Sequence, residues 1–379
     1  MFHPNIILLV LLTAIKVCLV QVSNYNPYSL YLQTSMVAET TVQTNKNCFC
    51  VPYWQCKEDF VGLVDDGADI MDIRVYEEET QEDESEECTG DFDVCCQVQC
   101  GKLGSISNSS LIGDTLAYRI VSDGANPSNA ANFGEFPWML GLLQNRAYKC
   151  GASLIHPKVA ITAAHCVAQG GVFKVRAGEF DWANQQEPLP HQDRLTQKII
   201  IHPHYHPPSL SNDIALLILN QEFKLTENIG VVCLPPQAPK GSQPTIDKAC
   251  IASGWGKNSY QNGAYQTTLK KVELPVVPQQ QCLHSLRTAR LGPHFQLHPS
   301  FMCAGGKHNK DTCKGDGGSP LVCPVDDSNE HFEQVGIVSW GLTCGLRNTP
   351  GVYVNVAMFI DWIDKQLISL NLDTFIYKL

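Results

Sequence analysis

Three stretches of the chain carry side chains able to work together on a carbonyl group. Residues 162–166 read Thr-Ala-Ala-His-Cys, residues 212–216 read Asn-Asp-Ile-Ala-Leu, and residues 311–320 read Asp-Thr-Cys-Lys-Gly-Asp-Gly-Gly-Ser-Pro. Acyl transfer by a serine needs an imidazole to take the hydroxyl proton and a buried carboxylate to fix the imidazole tautomer. His165 and Asp213 have the right chemistry for those two roles. The third stretch offers one serine, Ser319, behind the glycines Gly317 and Gly318. A second set, His202, His204 and His206, alternates as zinc ligands on one side of an extended chain would. Pro203, Pro207 and Pro208, with no clear fourth ligand, mark it as an ordinary loop.

The three stretches resemble the histidine, aspartate and nucleophile segments of the chymotrypsin-like serine proteases. In the third, Cys313, Gly315, Asp316, Gly318 and Pro320 match the family pattern Cys-x-Gly-Asp-Ser-Gly-Gly-Pro in register. Gly317 stands at the nucleophile position, and Ser319 stands where the family has glycine. No insertion slides Ser319 into the nucleophile slot. Two residues along an extended chain displace it by roughly 6–7 Å, beyond hydrogen-bond reach of His165. Losing the nucleophile of a serine protease lowers turnover on the order of a millionfold. The backbone donors of Gly315 and Gly317 would retain roughly 10³ to 10⁴ over water, too little for a cascade protease. The resemblance therefore implies a protease fold without protease chemistry, with His165 and Asp213 as remnants.

The same resemblance implies a specificity pocket. Asp311 sits where trypsin-like members keep the carboxylate for Arg or Lys, and Gly341 and Gly351 match the residues that keep that pocket open. It is read here as a remnant. Arg119-Ile120-Val121-Ser122-Asp123 partly matches the activation junction, after which Ile120 would pair with Asp316. Glu179, Asp181 and Glu187 fall where some family members hold Ca²⁺, an ion that carboxylates suit. No other cofactor is expected.

Positioning these groups requires a large disulfide-bonded β domain. The chain has 379 residues, and at 44% hydrophobic and 17% charged it can bury a sizeable core. A net charge of -11 argues against a nucleic-acid partner. Short apolar runs between Gly and Pro signals, at 138–143, 159–162, 214–219 and 335–340, predict two antiparallel barrels. Phe359, Trp362, Ile363 and Leu367 recur at helical spacing and predict a C-terminal helix packed on the core.

Seventeen cysteines indicate an oxidising compartment. An apolar run over 6–20 reads as part of a signal peptide, assigned to 1–22, and no second apolar span follows. Residues 23–47 read as a flexible extension. Cys48, Cys50, Cys56, Cys88, Cys95 and Cys96 lie in 48–96, too short a stretch to bury much core without bridges. Six cysteines allow 15 pairings, and spacing does not choose among them. Residues 97–119 read as a linker, with Asn108 as a glycosylation acceptor, and 120–379 as the protease-like domain.

Cys-Phe-Cys-Val-Pro-Tyr-Trp-Gln-Cys at 48–56 and Asp-Val-Cys-Cys at 93–96 resemble the clip domain of arthropod haemolymph proteases. The two resemblances imply eight disulfides: Cys48–Cys95, Cys50–Cys88, Cys56–Cys96, Cys100–Cys233, Cys150–Cys166, Cys250–Cys323, Cys282–Cys303 and Cys313–Cys344. Between Cys56 and Cys88, eight carboxylates crowd into residues 77–87 and should be solvated. Arg74, followed by Val75, is the lone arginine between Cys56 and Cys88 and ranks above Arg119 as the regulatory cleavage site.

The whole architecture resembles the clip-domain serine protease homologues of arthropod immune cascades. The resemblance implies a secreted, inactive haemolymph protein that acts as a cofactor in prophenoloxidase activation, the step that launches melanisation. Its implied partners are prophenoloxidase, the activating clip-domain protease, an upstream trypsin-like protease that cuts it, and further copies of itself after cleavage. No membrane span is expected. The rivals are a negative regulator of the same cascade, an active trypsin-like endopeptidase, and a protein that adheres to microbial surfaces or haemocytes.

Overall fold

The computed structural model describes residues 49–52, 93–96, 99–104 and 129–379, apart from 185, 240–241, 243–248, 258–262, 309 and 327–328. The signal peptide, the extension, Arg74, Val75, Asn108, Arg119, Ile120 and the three clip-domain disulfides lie outside the described residues. At the amino end, β1 (Phe49–Pro52) pairs antiparallel with β2 (Asp93–Cys96), with the Cα atoms of Cys50 and Cys95 in register.

The rest is two closed six-stranded antiparallel barrels. The first is built from β3 (Met139–Gln144), β4 (Ala147–His156), β5 (Val159–Thr162), β6 (Lys174–Ala177), β7 (Gln192–Ile201) and β8 (Ala215–Leu219), closing in the order β3-β4-β5-β8-β7-β6. The second is built from β9 (Ala249–Gly254), β10 (Lys270–Val277), β11 (Phe301–Gly305), β12 (Pro320–Pro324), β13 (Phe332–Trp340) and β14 (Pro350–Asn355), closing as β10-β11-β14-β13-β12-β9. Closure leaves neither barrel with an open strand edge.

Local sequence explains the strands. The β3–β4 hairpin turns on Asn145 and Arg146, both at positive φ (53° and 65°), the conformation whose twist suits a two-residue hairpin. β8 reads Ala-Leu-Leu-Ile-Leu and every residue of it is buried, so it shows no alternation. β7 reads Gln-Asp-Arg-Leu-Thr-Gln-Lys-Ile-Ile-Ile and is largely open to solvent.

Two short helices and one longer one complete the domain. α1 (Ala164–Val167) follows β5 directly, and α2 (Gln279–Leu286) follows β10. α3 (Ile360–Ser369) buries Ile360, Ile363 and Leu367 on one stripe. The chain then folds back: Ile376 and Tyr377 are buried, and the Tyr377 carbonyl accepts the Leu234 N–H at 2.8 Å. Among the described residues, no helix is long and apolar enough to cross a membrane.

Five disulfides pin this frame: Cys100–Cys233, Cys150–Cys166, Cys250–Cys323, Cys282–Cys303 and Cys313–Cys344.

Candidate functional site

The site lies where the first barrel meets the loop before β12. α1 brings His165 off the end of β5, and the turn into β8 delivers Asp213. That turn depends on Asn212, which holds φ at 55°, donates from Nδ2 to the His204 carbonyl (2.8 Å), and gives its N–H to Ser300 Oγ (3.0 Å). Asp213 is fully buried. Its Oδ1 accepts the His165 N–H at 2.8 Å, and its Oδ2 meets His165 Nδ1 at 2.7 Å. Ser339 on β13 donates its hydroxyl to the same Oδ2 at 2.6 Å. Three donors on one buried carboxylate fix the ring, so this half of a charge-relay constellation is preorganised.

The other half has no side chain. His165 Nε2 points at Gly317, and a β-carbon built on Gly317 would lie 2.8 Å from that nitrogen. Cys166 Sγ is 3.6 Å from the same nitrogen. The imidazole thus reaches into the space a nucleophile would fill. Cys150, His165 and Cys166 cluster closely enough to suggest metal ligation, but the two sulfurs are bonded to each other and hold no thiolate.

Ser319 lies elsewhere. It is fully buried against Gly151, where an added β-carbon would collide with its Oγ, and its hydroxyl lies against the Tyr148 phenol. Tyr148 in turn donates to the Gly315 carbonyl at 3.2 Å. Gly315 and Gly318 take φ of 103° and 82°, so the loop needs glycine at both. Among the described residues, no backbone carbonyl takes the N–H of Gly315 or Gly317.

Asp316 is anchored beneath this loop. Its two oxygens accept the N–H groups of Gly256 and Cys313, each at 2.8 Å. A β-carbon on Gly256 would fall inside the carboxylate. Burial pushes the Asp316 carboxyl up to about 6. No cation reaches it among the described residues.

The pocket residues also converge. Asp311 accepts the Gly345 N–H at 3.1 Å on Oδ2 and the Thr312 N–H at 2.9 Å on Oδ1. Burial outweighs those bonds and pushes its carboxyl up to about 7. A β-carbon on Gly351 would sit 3.2 Å from Asp311 Oδ1, and one on Gly341 would meet open space. Asp311 and Gly351 are therefore brought together, and Gly341 leaves room beside its own backbone.

Two of the three carboxylates considered for Ca²⁺ meet. Glu187 Oε1 accepts the N–H groups of Phe180 (3.0 Å) and Asp181 (2.8 Å). Glu179 Oε2 pairs with Arg176 at 2.9 Å. Glu179 Oε1 and Glu187 Oε2 are buried with no hydrogen-bond partner among the described residues. Burial, and the facing charge of Glu179, push Glu187 up. Two buried acceptors with no donor between them fit a cation. Asp181 Oδ1 caps its own turn by accepting the Ala183 N–H at 3.1 Å. His202 packs edge-on against Phe359 and Trp362, at 5.0 Å from each ring, and burial lowers it to about 4.

Sequence reasoning did not single out Ser339, Tyr148 or Gly256. Ser339 left one signal, a hydroxyl inside the apolar run that precedes Trp340. Tyr148 left none, because 167 residues separate it from its partner Gly315.

These features define a chymotrypsin-like domain whose histidine and aspartate are assembled and whose nucleophile position carries no side chain. The trypsin family profile matches residues 126–363, and the profile described as Serine protease Clip domain PPAF-2 matches residues 38–97. Phenoloxidase-activating factor 2 of Galleria mellonella is 45% identical over 276 residues, covering 69% of this chain and 89% of that protein. Inactive CLIP domain-containing serine protease A3 of Aedes aegypti is 37% identical over 353 residues, covering 88% of this chain and 70% of that protein. Inactive CLIP domain-containing serine protease A28 of Anopheles gambiae is 33% identical, covering 77% and 81%. The chain belongs to the trypsin family, as one of its clip-domain serine protease homologues.

Proposed function

We propose that the protein is a secreted, non-catalytic cofactor of prophenoloxidase activation. The observation that carries this reading is the pairing of an intact His165–Asp213 couple with Gly317, which we read as the loss of the catalytic serine. Such a domain recognises and assembles but does not cut. The names of its relatives, a phenoloxidase-activating factor and two inactive clip-domain proteins, support the same reading. Cleavage after Arg74 by an upstream trypsin-like protease switches the protein on. The cut form associates with further copies and docks prophenoloxidase beside its activating protease in the haemolymph. Docking raises their effective concentration without new chemistry. Glu179 and Glu187 hold Ca²⁺ as a structural ion.

The test is phenoloxidase activity in a purified mixture of prophenoloxidase and its activating protease. Wild-type protein raises the activity, and Arg74→Ala does not. A fall with wild type would replace this reading with a negative regulator that occupies the protease. No change would leave surface adhesion as the better account.

A further inference from the structure

A groove of about 520 Å³ opens on the second barrel, between residues 281–289, from α2 and the turn after it, and the loop that leads into β14. Its size lies within the range of specific ligand sites, roughly 300–1,000 Å³. Its walls mix apolar side chains, from Val277, Ala289, Leu346 and Pro350, with polar ones that include His284 and Arg347. Leu346 is 50% exposed and lies beside Pro350 in this lining.

The charge around this groove runs against that of the chain. Acidic residues outnumber basic ones 38 to 27 overall, yet residues 274–310 and 334–360, which build the groove, contain no Asp or Glu. They carry Arg287, Arg290, Lys307, Lys310 and Arg347. Among the described residues, no carboxylate pairs with Arg290, Lys307 or Arg347. The acids that bound the first stretch are Glu273, which is exposed, and Asp311, which is turned inward onto Thr312 and Gly345. Screening confines each charge to about 8 Å at physiological salt, so the local basic field governs here.

We propose that this groove docks an extended acidic peptide segment of a partner protein, with an apolar side chain against Leu346 and carboxylates on Arg347 and its basic neighbours. A sulfated glycan would need a continuous basic strip, and the apolar walls interrupt one. Complementary charge would set encounter rate and selectivity, and the apolar contact would set residence.

Fluorescence anisotropy of a labelled synthetic peptide tests this. The probe copies residues 76–87, the densest acidic run in the chain, and its control carries Gln for Glu and Asn for Asp. Titration uses full-length protein, both wild type and a form with Glu77→Gln and matching amide replacements through Glu87, so that the chain's own run cannot mask the groove. The acidic probe should bind at least one form at least tenfold more tightly than the control, and more weakly as salt rises. Arg347→Glu and the groove-filling Thr288→Trp should each weaken binding at least tenfold, while Arg347→Lys should stay within threefold. Circular dichroism verifies that each variant is folded. The proposal is overturned by absence of binding to both forms, by equal affinity for probe and control, by insensitivity to either substitution, or by tighter binding of a size-matched sulfated oligosaccharide.

Discussion

His165 Nε2 lies 2.8 Å from the point where Gly317 would carry a β-carbon. That is closer than a real β-carbon approaches, so the ring stands in room a serine would claim. Wild-type protein should give no labelling with a serine-directed fluorophosphonate. Gly317→Ser should be labelled, but at least tenfold more slowly than a trypsin control, because the imidazole must first withdraw against its bond to Asp213. Labelling of wild type would place a working nucleophile elsewhere and overturn the inactive reading.

Gly256 and Asp316 make a second close contact, with the glycine N–H on Oδ1 at 2.8 Å. Gly256→Ala forces a methyl group into the carboxylate and should destabilise the domain by about 1–3 kcal/mol. Urea unfolding measures this, and an unchanged midpoint would show that the loop relaxes freely.

Asp311 supplies a pH signature. Its carboxyl is raised from 3.8 to about 7, so the ionised form is disfavoured in the fold. Its contribution to stability is full below the ordinary carboxylate range and is lost as pH rises through about 7. The melting temperature of Asp311→Asn minus that of wild type should therefore climb between pH 4 and 7 and level off on either side. Any constant offset from altered hydrogen bonds drops out of that slope. A flat difference would mean that Asp311 titrates as an ordinary carboxylate.

Glu179 and Glu187 predict ion-linked stability. Ca²⁺ at 100 times its dissociation constant should add about 2.7 kcal/mol. Glu187→Gln should abolish the gain and melt higher than wild type in chelator, because it removes one of two facing charges. If Ca²⁺ leaves the wild-type melting curve unmoved, the cation reading fails.

Much of this molecule could be read before any coordinates. Strands and the C-terminal helix were legible because apolar periodicity and Gly or Pro punctuation are local. The runs at 159–162 and 335–340 reappear as β5 and the later part of β13. The helix stripe was placed nearly right, with Ile360 buried and Trp362 only half-buried. His165, Asp213 and Gly317 were legible because each sits in a short, distinctive segment. Contacts made across the fold were not legible. Ser339 reaches Asp213 over 126 positions, and no period in the chain announces that pair. Asp181 shows a different limit. The resemblance grouped it with Glu179 and Glu187, but its Oδ1 accepts the Ala183 N–H of its own turn, a local bond the resemblance did not show.

The Cys100–Cys233 bridge spans 133 residues and so encloses Arg119 within a covalent ring. A protease that cuts there opens the ring but sheds no mass. The product would migrate as one band on a non-reducing gel and as two after reduction. Cutting at that junction can therefore change the conformation of the protein but never its inventory of parts, and whatever the amino-terminal half recognises stays attached to whatever the barrels recognise.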